Sequence, residues 1–322
     1  MNGIFPMLAA TVAWSSADLL YKIGGWDPRE RFTSAKIAVW AGLVMAAVFC
    51  LLRPFSESGD PFAVIAAHPV FCLFLLAFAG MMLVTNVGLK HLDMSVMSPL
   101  ENVGVAIPPV CLAVWYAMNG RFAESADSLG PLGFAAILCV AGGVMALPVA
   151  IRRTEKSRCD VKPSAGTAVR RRMPVLLALL FPLAYAVFDS FETVIIAVGI
   201  DERDGAGIGD YDMILIHTVA FAAVGVACWV WMAAKGVFYV PFRKSELPKA
   251  GAVACEASAD IAYVSAISAS PIAAGPVTSA YCALTIVLSH ALLRERPGRG
   301  VIACVAFVCV GIFLFALSEV FQ

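Results

Sequence analysis

The chain has 322 residues, 61% of them hydrophobic and 14% charged, with no net charge and a mean hydropathy of +0.85. Soluble domains carry about 25% charged residues, so this composition excludes an ordinary soluble fold and points to a multi-pass membrane protein in contact with a lipid bilayer. Zero net charge leaves no electrostatic footprint for a nucleic-acid partner.

A helix needs roughly 17–25 apolar residues to cross a bilayer core, and ten segments meet that length. The first, 3–21, lacks a basic leader and a small-residue cleavage motif, so it reads as a span and not as a cleaved signal; it carries Trp14 and Asp18. Spans 33–52 and 68–89 follow, the first with Lys36 and the second with Thr85 and Asn86. Span 95–118 contains Glu101 beside Pro99, Pro108 and Pro109, and span 130–151 is uncharged with Gly133, Gly142 and Gly143. A basic connection, 152–172, precedes span 173–198, which holds Pro182, Asp189 and Glu192. Spans 212–234, 248–268, 272–292 and 299–318 complete the chain. They bring His217, then Glu256 and Asp260, then Pro276, Thr278, Ser279, Tyr281 and His290, then Gly300 and Gly311. Proline inside a span is tolerated where neighbouring helices satisfy the freed backbone groups.

Of ten cysteines, nine lie singly in apolar segments and Cys159 lies in the basic connection. No CxxC occurs, which suggests neither a zinc site nor a disulfide framework. No metal or cofactor is expected.

The two halves resemble each other. A slide of 174 positions sets Trp14 on Phe188, Ser16 on Ser190, Asp18 on Glu192, Gly25 on Gly199, Asp27 on Asp201 and Arg29 on Arg203. A slide of 177 sets "SPLEN" (Ser98 to Asn102) on "GPVTS" (Gly275 to Ser279). Five spans per half force the halves into opposite orientations. The expected fold is an all-α polytopic membrane protein with ten transmembrane helices as two inverted five-helix repeats, 1–151 and 173–322, joined by the linker 152–172. Inverted repeats place a substrate site at their interface near the midplane.

Basic residues favour the cytoplasmic side. Of 23 Lys and Arg, only Arg53, Arg121 and Arg203 lie in the loops after the second, fourth and sixth spans, Lys36 lies inside a span, and 19 lie on the opposite side. The count places both termini outside.

Six carboxylates fall inside spans: Asp18, Glu101, Asp189, Glu192, Glu256 and Asp260. Each costs about 2.5–3.5 kcal/mol at a helix centre facing lipid, so they are expected to face a wet cavity, to pair or to be protonated. Asp189 and Glu192 are three apart and Glu256 and Asp260 four apart, which puts each pair on one helical face. One member of a crowded pair is expected to hold a proton. Asp189 and Glu192 are the candidates for a proton and cation site, with Asp18 as their counterpart and Glu101 as a partner facing the second half. Glu256 stands close enough to a helix end to snorkel to the interface, and Asp18 could pair with Lys22. Asn86, Asp260, Thr278, Ser279 and Tyr281 would orient polar groups of a substrate, and Trp14, Phe188 and Tyr281 could stack on a cation. Spans two, five, seven and ten would buttress six cavity-lining ones, with small residues allowing close packing.

The stretches "ATVAWSSADLLYK", "GLKHLDMSVMSPLENVGVAIPPV" and "SAYCALTIVLSHALLRERPGRGVIACVAFVCVGIFLFAL" resemble the drug/metabolite transporter superfamily, in particular its EamA-like ten-helix members. The resemblance covers nearly the whole chain. It implies five-plus-five inverted repeats, secondary transport of a small metabolite, and Trp14, Ser16, Lys22, Arg294, Glu295 and Arg296 as matching positions. Asp18 stands where the family usually has an apolar residue, and "MNGRFAESA" departs from the family's first-half turn. Members are commonly drawn with both termini in the cytoplasm, opposite to the charge count here.

The expected function is a carrier or exporter of a small cationic or zwitterionic solute, proton-coupled, in an inner (plasma) membrane, acting as monomer or homodimer and not as an enzyme. Two alternatives stand beside it. "GIGD", Gly207 to Asp210, matches the Gly-x-Gly-Asp pattern of intramembrane aspartyl proteases, with Asp189 as the second acid; Asp210 also reads as a helix N-cap. A channel would need a continuous polar path.

Overall fold

The computed structural model describes residues 4–21, 23, 30, 32–88, 101–159, 175–293 and 298–321. Lys22, Asp27, Arg29, Pro99, Arg294, Glu295, Arg296 and the heart of the basic linker lie outside the described residues, as do the side chains of Thr85 and Asn86. Among the described residues every regular element is a helix.

In chain order these are α1 (Ile4–Leu20), α2 (Thr33–Leu52), α3 (Pro61–Ala67), α4 (Pro69–Gly88), α5 (Ile107–Met118) and α6 (Phe122–Cys159). The second half supplies α7 (Val175–Ile200), α8 (Asp210–Ala234), α9 (Leu247–Ala269), α10 (Pro271–Thr278), α11 (Tyr281–Leu293) and α12 (Arg299–Phe321). Six described segments are long and apolar enough to cross a membrane. They are Thr33–Phe55, Gly130–Leu147, Leu180–Ile200, Asp210–Ala234, Lys244–Ala269 and Pro271–Leu292. The protein is therefore an all-helical membrane protein. Shorter apolar helices cover Ile4–Leu20, Ile107–Met118 and Arg299–Phe315, and α3 meets α4 at a bend of 103°.

Local chemistry sets several boundaries. Pro61 opens α3 behind Asp60, whose carboxylate accepts from the Phe62 N–H, an N-cap followed by proline. Gly130, with φ of 59°, breaks α6 where the apolar span begins, because only glycine adopts that conformation without a steric cost. The sequence places the linker from residue 152, but α6 continues through Cys159. Its Arg, Glu and Lys residues are good helix formers, so the polar end simply extends the helix.

The helices pair across the two halves: α1 with α9, α4 with α7, α2 with α8, α5 with α10, and α6 with α12. Two of these contacts are reciprocal to the residue. A Cβ on Gly143 would meet Val308 and the Cys304 carbonyl, and a Cβ on Gly311 would meet Val140 and the Ala136 carbonyl. One slide of 168 positions relates all three residue pairs. A Cβ on Gly42 would meet Gly225 and the Phe221 carbonyl, and one on Gly225 would meet Gly42 and the Ala38 carbonyl.

Polar contacts tie the loops at one end of the bundle, here called the acidic end. The Arg121 guanidinium bridges Asp201 (2.8 Å) and Asp204 (2.9 Å) and lies 5.3 Å from the Tyr116 ring. Asp212 accepts from Ser56 Oγ (2.5 Å) and the Ser58 N–H (2.8 Å). The other end, the basic end, has its own cluster: Lys249 lies 2.9 Å from Glu246 and 3.5 Å from Glu30, and Lys36 pairs with Glu30. Lys36 also sits 5.0 Å from the Tyr239 ring, so it serves this end cluster and not the intramembrane acids.

Burial opposes ionisation of Asp201, yet hydrogen bonds from the Arg203 N–H and the Arg121 guanidinium hold its carboxyl below the usual range. A depressed carboxyl adds stability that is present above its ordinary value near 3.9 and is lost as pH falls through the lower folded value. Because Arg121 is partly exposed, we expect about 1 kcal/mol from this pair after screening. The melting temperature of Asp201→Asn should trail the wild type by a few degrees above pH 5, and the gap should narrow only as pH falls below about 4.

A one-sided cavity between the halves

A cavity of about 130 Å³, counted as space open to the centres of water molecules, lies between the two halves. It takes Asp18 from the C-terminal part of α1 and Tyr21 just beyond it, Ile37, Ala38 and Ala41 from the N-terminal part of α2, and Glu256 from the N-terminal half of α9. All of these lie toward the basic end. Toward the acidic end the bundle is filled by Met7, Leu112, Ile196, Met213 and Ile267, each fully buried. Thr193 Oγ1 and Tyr263 Oη, 2.6 Å apart, cross the floor between them. Among the described residues, the cavity is thus bounded toward the acidic end.

Two broken helices build its middle. Residues Asn102–Ala106 form a 3₁₀ stretch between Glu101 and α5, and α10 stops at Thr278 before α11 restarts at Tyr281. Pro276 and Pro108 flank these breaks, and a missing proline N–H leaves carbonyls that need other partners. Asn102 Nδ2 donates to Tyr281 Oη (2.9 Å), joining the two breaks. Ser190 Oγ donates to the Gly104 carbonyl (3.0 Å) and to Ala186 (2.6 Å). Ser15 Oγ does the same to Tyr281 (3.0 Å) and to Thr11 (2.6 Å). Gly104 and Tyr281 are 177 apart, the slide read from the sequence, but Ser15 and Ser190 are 175 apart. The serines thus differ by one residue from the expected slide of 174; a slide of 175 would set Asp18 on Thr193, and both line the cavity. Ser16 instead bonds back to Val12 in its own helix.

The cavity gathers Trp14, Asp18, Glu101, Asp189, Thr278, Ser279 and Tyr281 from the expected set. Thr285 donates to Asp18 (3.1 Å), and Tyr185 hydrogen-bonds Asp189. Trp14 sits with its ring 5.1 Å from Tyr263 and 5.5 Å from Tyr281, and it hydrogen-bonds Asp260. Asp260 stands behind Trp14 and does not line the cavity. The Asn86 side chain lies outside the described residues.

Four expectations need correction. Glu192 does not line the cavity: it is 3% exposed and faces His217 on α8, because three residues of helix turn it away from Asp189. Phe188 stacks on Phe74 (6.0 Å) and not into the cavity. Glu256 does not snorkel; it lines the cavity and accepts from Tyr21 Oη (2.8 Å). Spans two and seven are more than buttresses, since α2 and α8 supply apolar wall at Ala38, Ala41, Phe221 and Val224. Their glycine crossing brings them close enough to reach it.

Sequence reasoning passed over Tyr185, Tyr263 and Asn102. Tyr185 is one turn before Asp189, and Tyr263 is three after Asp260 and seven after Glu256. That spacing puts both on acid-bearing faces, a signal available without coordinates. The aspartyl-protease alternative loses its geometry. The loop before Asp210 is tied to the end of α7 by the Ile208 N–H and the Gly199 carbonyl (2.8 Å), and Asp189 lies ten residues deeper, about 15 Å along the helix. Asp210 bonds Ser268 instead.

Neither a protein-family model nor a curated protein matches the chain. Solved structures do match its fold. One, described only as the crystal structure of a protein, superimposes with a TM-score of 0.62 over 98% of this chain and 96% of its own, at 16% identity.

Proposed function

We propose that the protein is a secondary active transporter, a carrier or exporter of a small organic cation or zwitterion. The observation that carries this reading is the cavity between the halves, with Asp18, Glu101, Asp189 and Glu256 in its wall beside Trp14, Tyr185, Tyr263 and Tyr281. Carboxylates offer charge neutralisation to a cation at bilayer depth, and aromatic faces add cation–π attraction. Closure at the acidic end favours a carrier over a continuous pore.

The same proposal includes ten spans in two inverted repeats. The reciprocal glycine contacts, the matched Ser15 and Ser190 hydrogen bonds and the paired helix breaks support it, since residue i meeting j while j's equivalent meets i's is what a two-fold relation produces. Discontinuous helices at a midplane site fit transporters of this architecture, and the EamA-like resemblance agrees. The lopsided basic charge favours a cytoplasmic basic end, which would make the cavity the inward-facing site of a plasma-membrane protein.

The test uses purified protein in proteoliposomes preloaded with unlabelled choline, tetramethylammonium, lysine or putrescine, and offered the labelled compound outside. We expect saturable exchange with at least one of the four and none with glucose or glutamate. No exchange with any cation would end the carrier reading.

A further inference from the structure

Glu192 and His217 form a buried pair that the cavity does not use. Glu192 Oε1 lies 3.4 Å from His217 Nδ1, and the two side chains are 4% and 6% exposed. Neither ring nitrogen of His217 has a hydrogen bond. The imidazole is stacked on Phe221 (4.9 Å, 7° between planes) and edged by Phe78 (6.2 Å). The other titratable groups around the pair are two carboxyls and two phenols: α4 carries no charged residue, α7 adds Tyr185 and Asp189, and α9 adds Asp260 and Tyr263. Glu192 follows Asp189 by one turn and neighbours Thr193 in the cavity floor, so the pair sits at the depth of the floor but outside the cavity lining.

The number of protons in such a pair is set by desolvation. With one proton the pair is neutral overall, as carboxylic acid and imidazole or as carboxylate and imidazolium. Without it, a bare carboxylate faces a neutral ring among phenylalanines, and isolated buried charge is strongly disfavoured. With a second proton, an uncompensated imidazolium stands in the same place. The pair therefore keeps one proton for as long as α4, α7 and α8 stay packed. A cation arriving at Asp189, one turn away, compensates the carboxylate and lets that proton leave.

We infer that Glu192 and His217 carry the proton exchanged for the organic cation, outside the substrate cavity. This rests on the carrier reading above and adds the coupling step to it. In the exchange, one H⁺ leaves the pair to water as the cation binds among the cavity acids, and one H⁺ returns from the other side as the cation departs. No other bond changes.

Wild-type vesicles containing pyranine and no unlabelled cation should alkalinise inside as choline, tetramethylammonium, lysine or putrescine enters, whichever of these exchanges in the assay above. Glu192→Gln and His217→Gln, reconstituted separately, should each lower pH-gradient-driven accumulation relative to cation–cation exchange by at least tenfold, and exchange should lose its dependence on pH. If the wild type exchanges cation without moving protons, the proposal is overturned and the carrier reading stands. An unchanged ratio in both variants overturns it too, as does loss of exchange together with accumulation. If the wild type exchanges nothing, both readings fall. Where one variant does not fold, the other and the pyranine signal of the wild type still decide.

Discussion

Replacing Gly225 with valine is expected to separate α2 from α8 and to destabilise the protein more than any conservative change in the apolar core. A Cβ at Gly225 would stand 2.7 Å from the Gly42 Cα, 2.8 Å from the Ala38 carbonyl and 3.1 Å from the Gly42 nitrogen. All three are backbone atoms of the facing helix, so no rotamer change relieves the clash. Overpacking of this kind costs about 1–3 kcal/mol or more, and close approach through small residues is a main source of helix association in a bilayer. We expect the melting temperature of purified Gly225→Val to fall by at least about 5 °C. Gly80→Ala is the control: it lies in α4 with nothing within 4 Å of its Cβ position, and alanine improves helix propensity by up to about 1 kcal/mol. Equal melting temperatures for the two variants would mean that the crossing is not the close contact described.

Much of the architecture is legible in the sequence, because a bilayer leaves few alternatives. Apolar runs of the right length became helices, and Pro276 marks a real break. The acid-bearing segments each contribute to one cavity. What sequence could not supply was register at the scale of one residue. Neighbouring positions in an apolar helix look alike, so aligning Ser16 with Ser190 was as plausible as aligning Ser15, and only the partner carbonyls of Tyr281 and Gly104 decide between them. The same ambiguity misplaced Glu192. Spacing by three keeps two side chains on one side of a helix, but about 60° of rotation separates them, enough to turn Asp189 to the cavity and Glu192 to His217. Of the adjacent Gly142 and Gly143, only Gly143 meets backbone of a facing helix, for the same reason.

Neutralising Asp189 should separate the substrate site from the proton site. Asp189→Asn keeps the shape of the side chain and its capacity to bond Tyr185, and removes only charge from the cavity wall. Truncating one partner of a buried, hydrogen-bonded charge pair costs about 2–5 kcal/mol, and each 1.4 kcal/mol is tenfold in affinity. The half-saturation concentration for exchange of the transported cation should therefore rise by at least about 30-fold. Asp18, Glu101 and Glu256 stay in the cavity wall, but Asp189 is the cavity acid that Tyr185 bonds, so its loss is expected to weaken cation binding without abolishing it. Glu192→Gln acts outside the cavity lining and should change coupling more than affinity, reversing the order of effects. If Asp189→Asn left half-saturation as it was, the bound solute would not be a cation held at this wall, and the acids would have to be explained by protons alone.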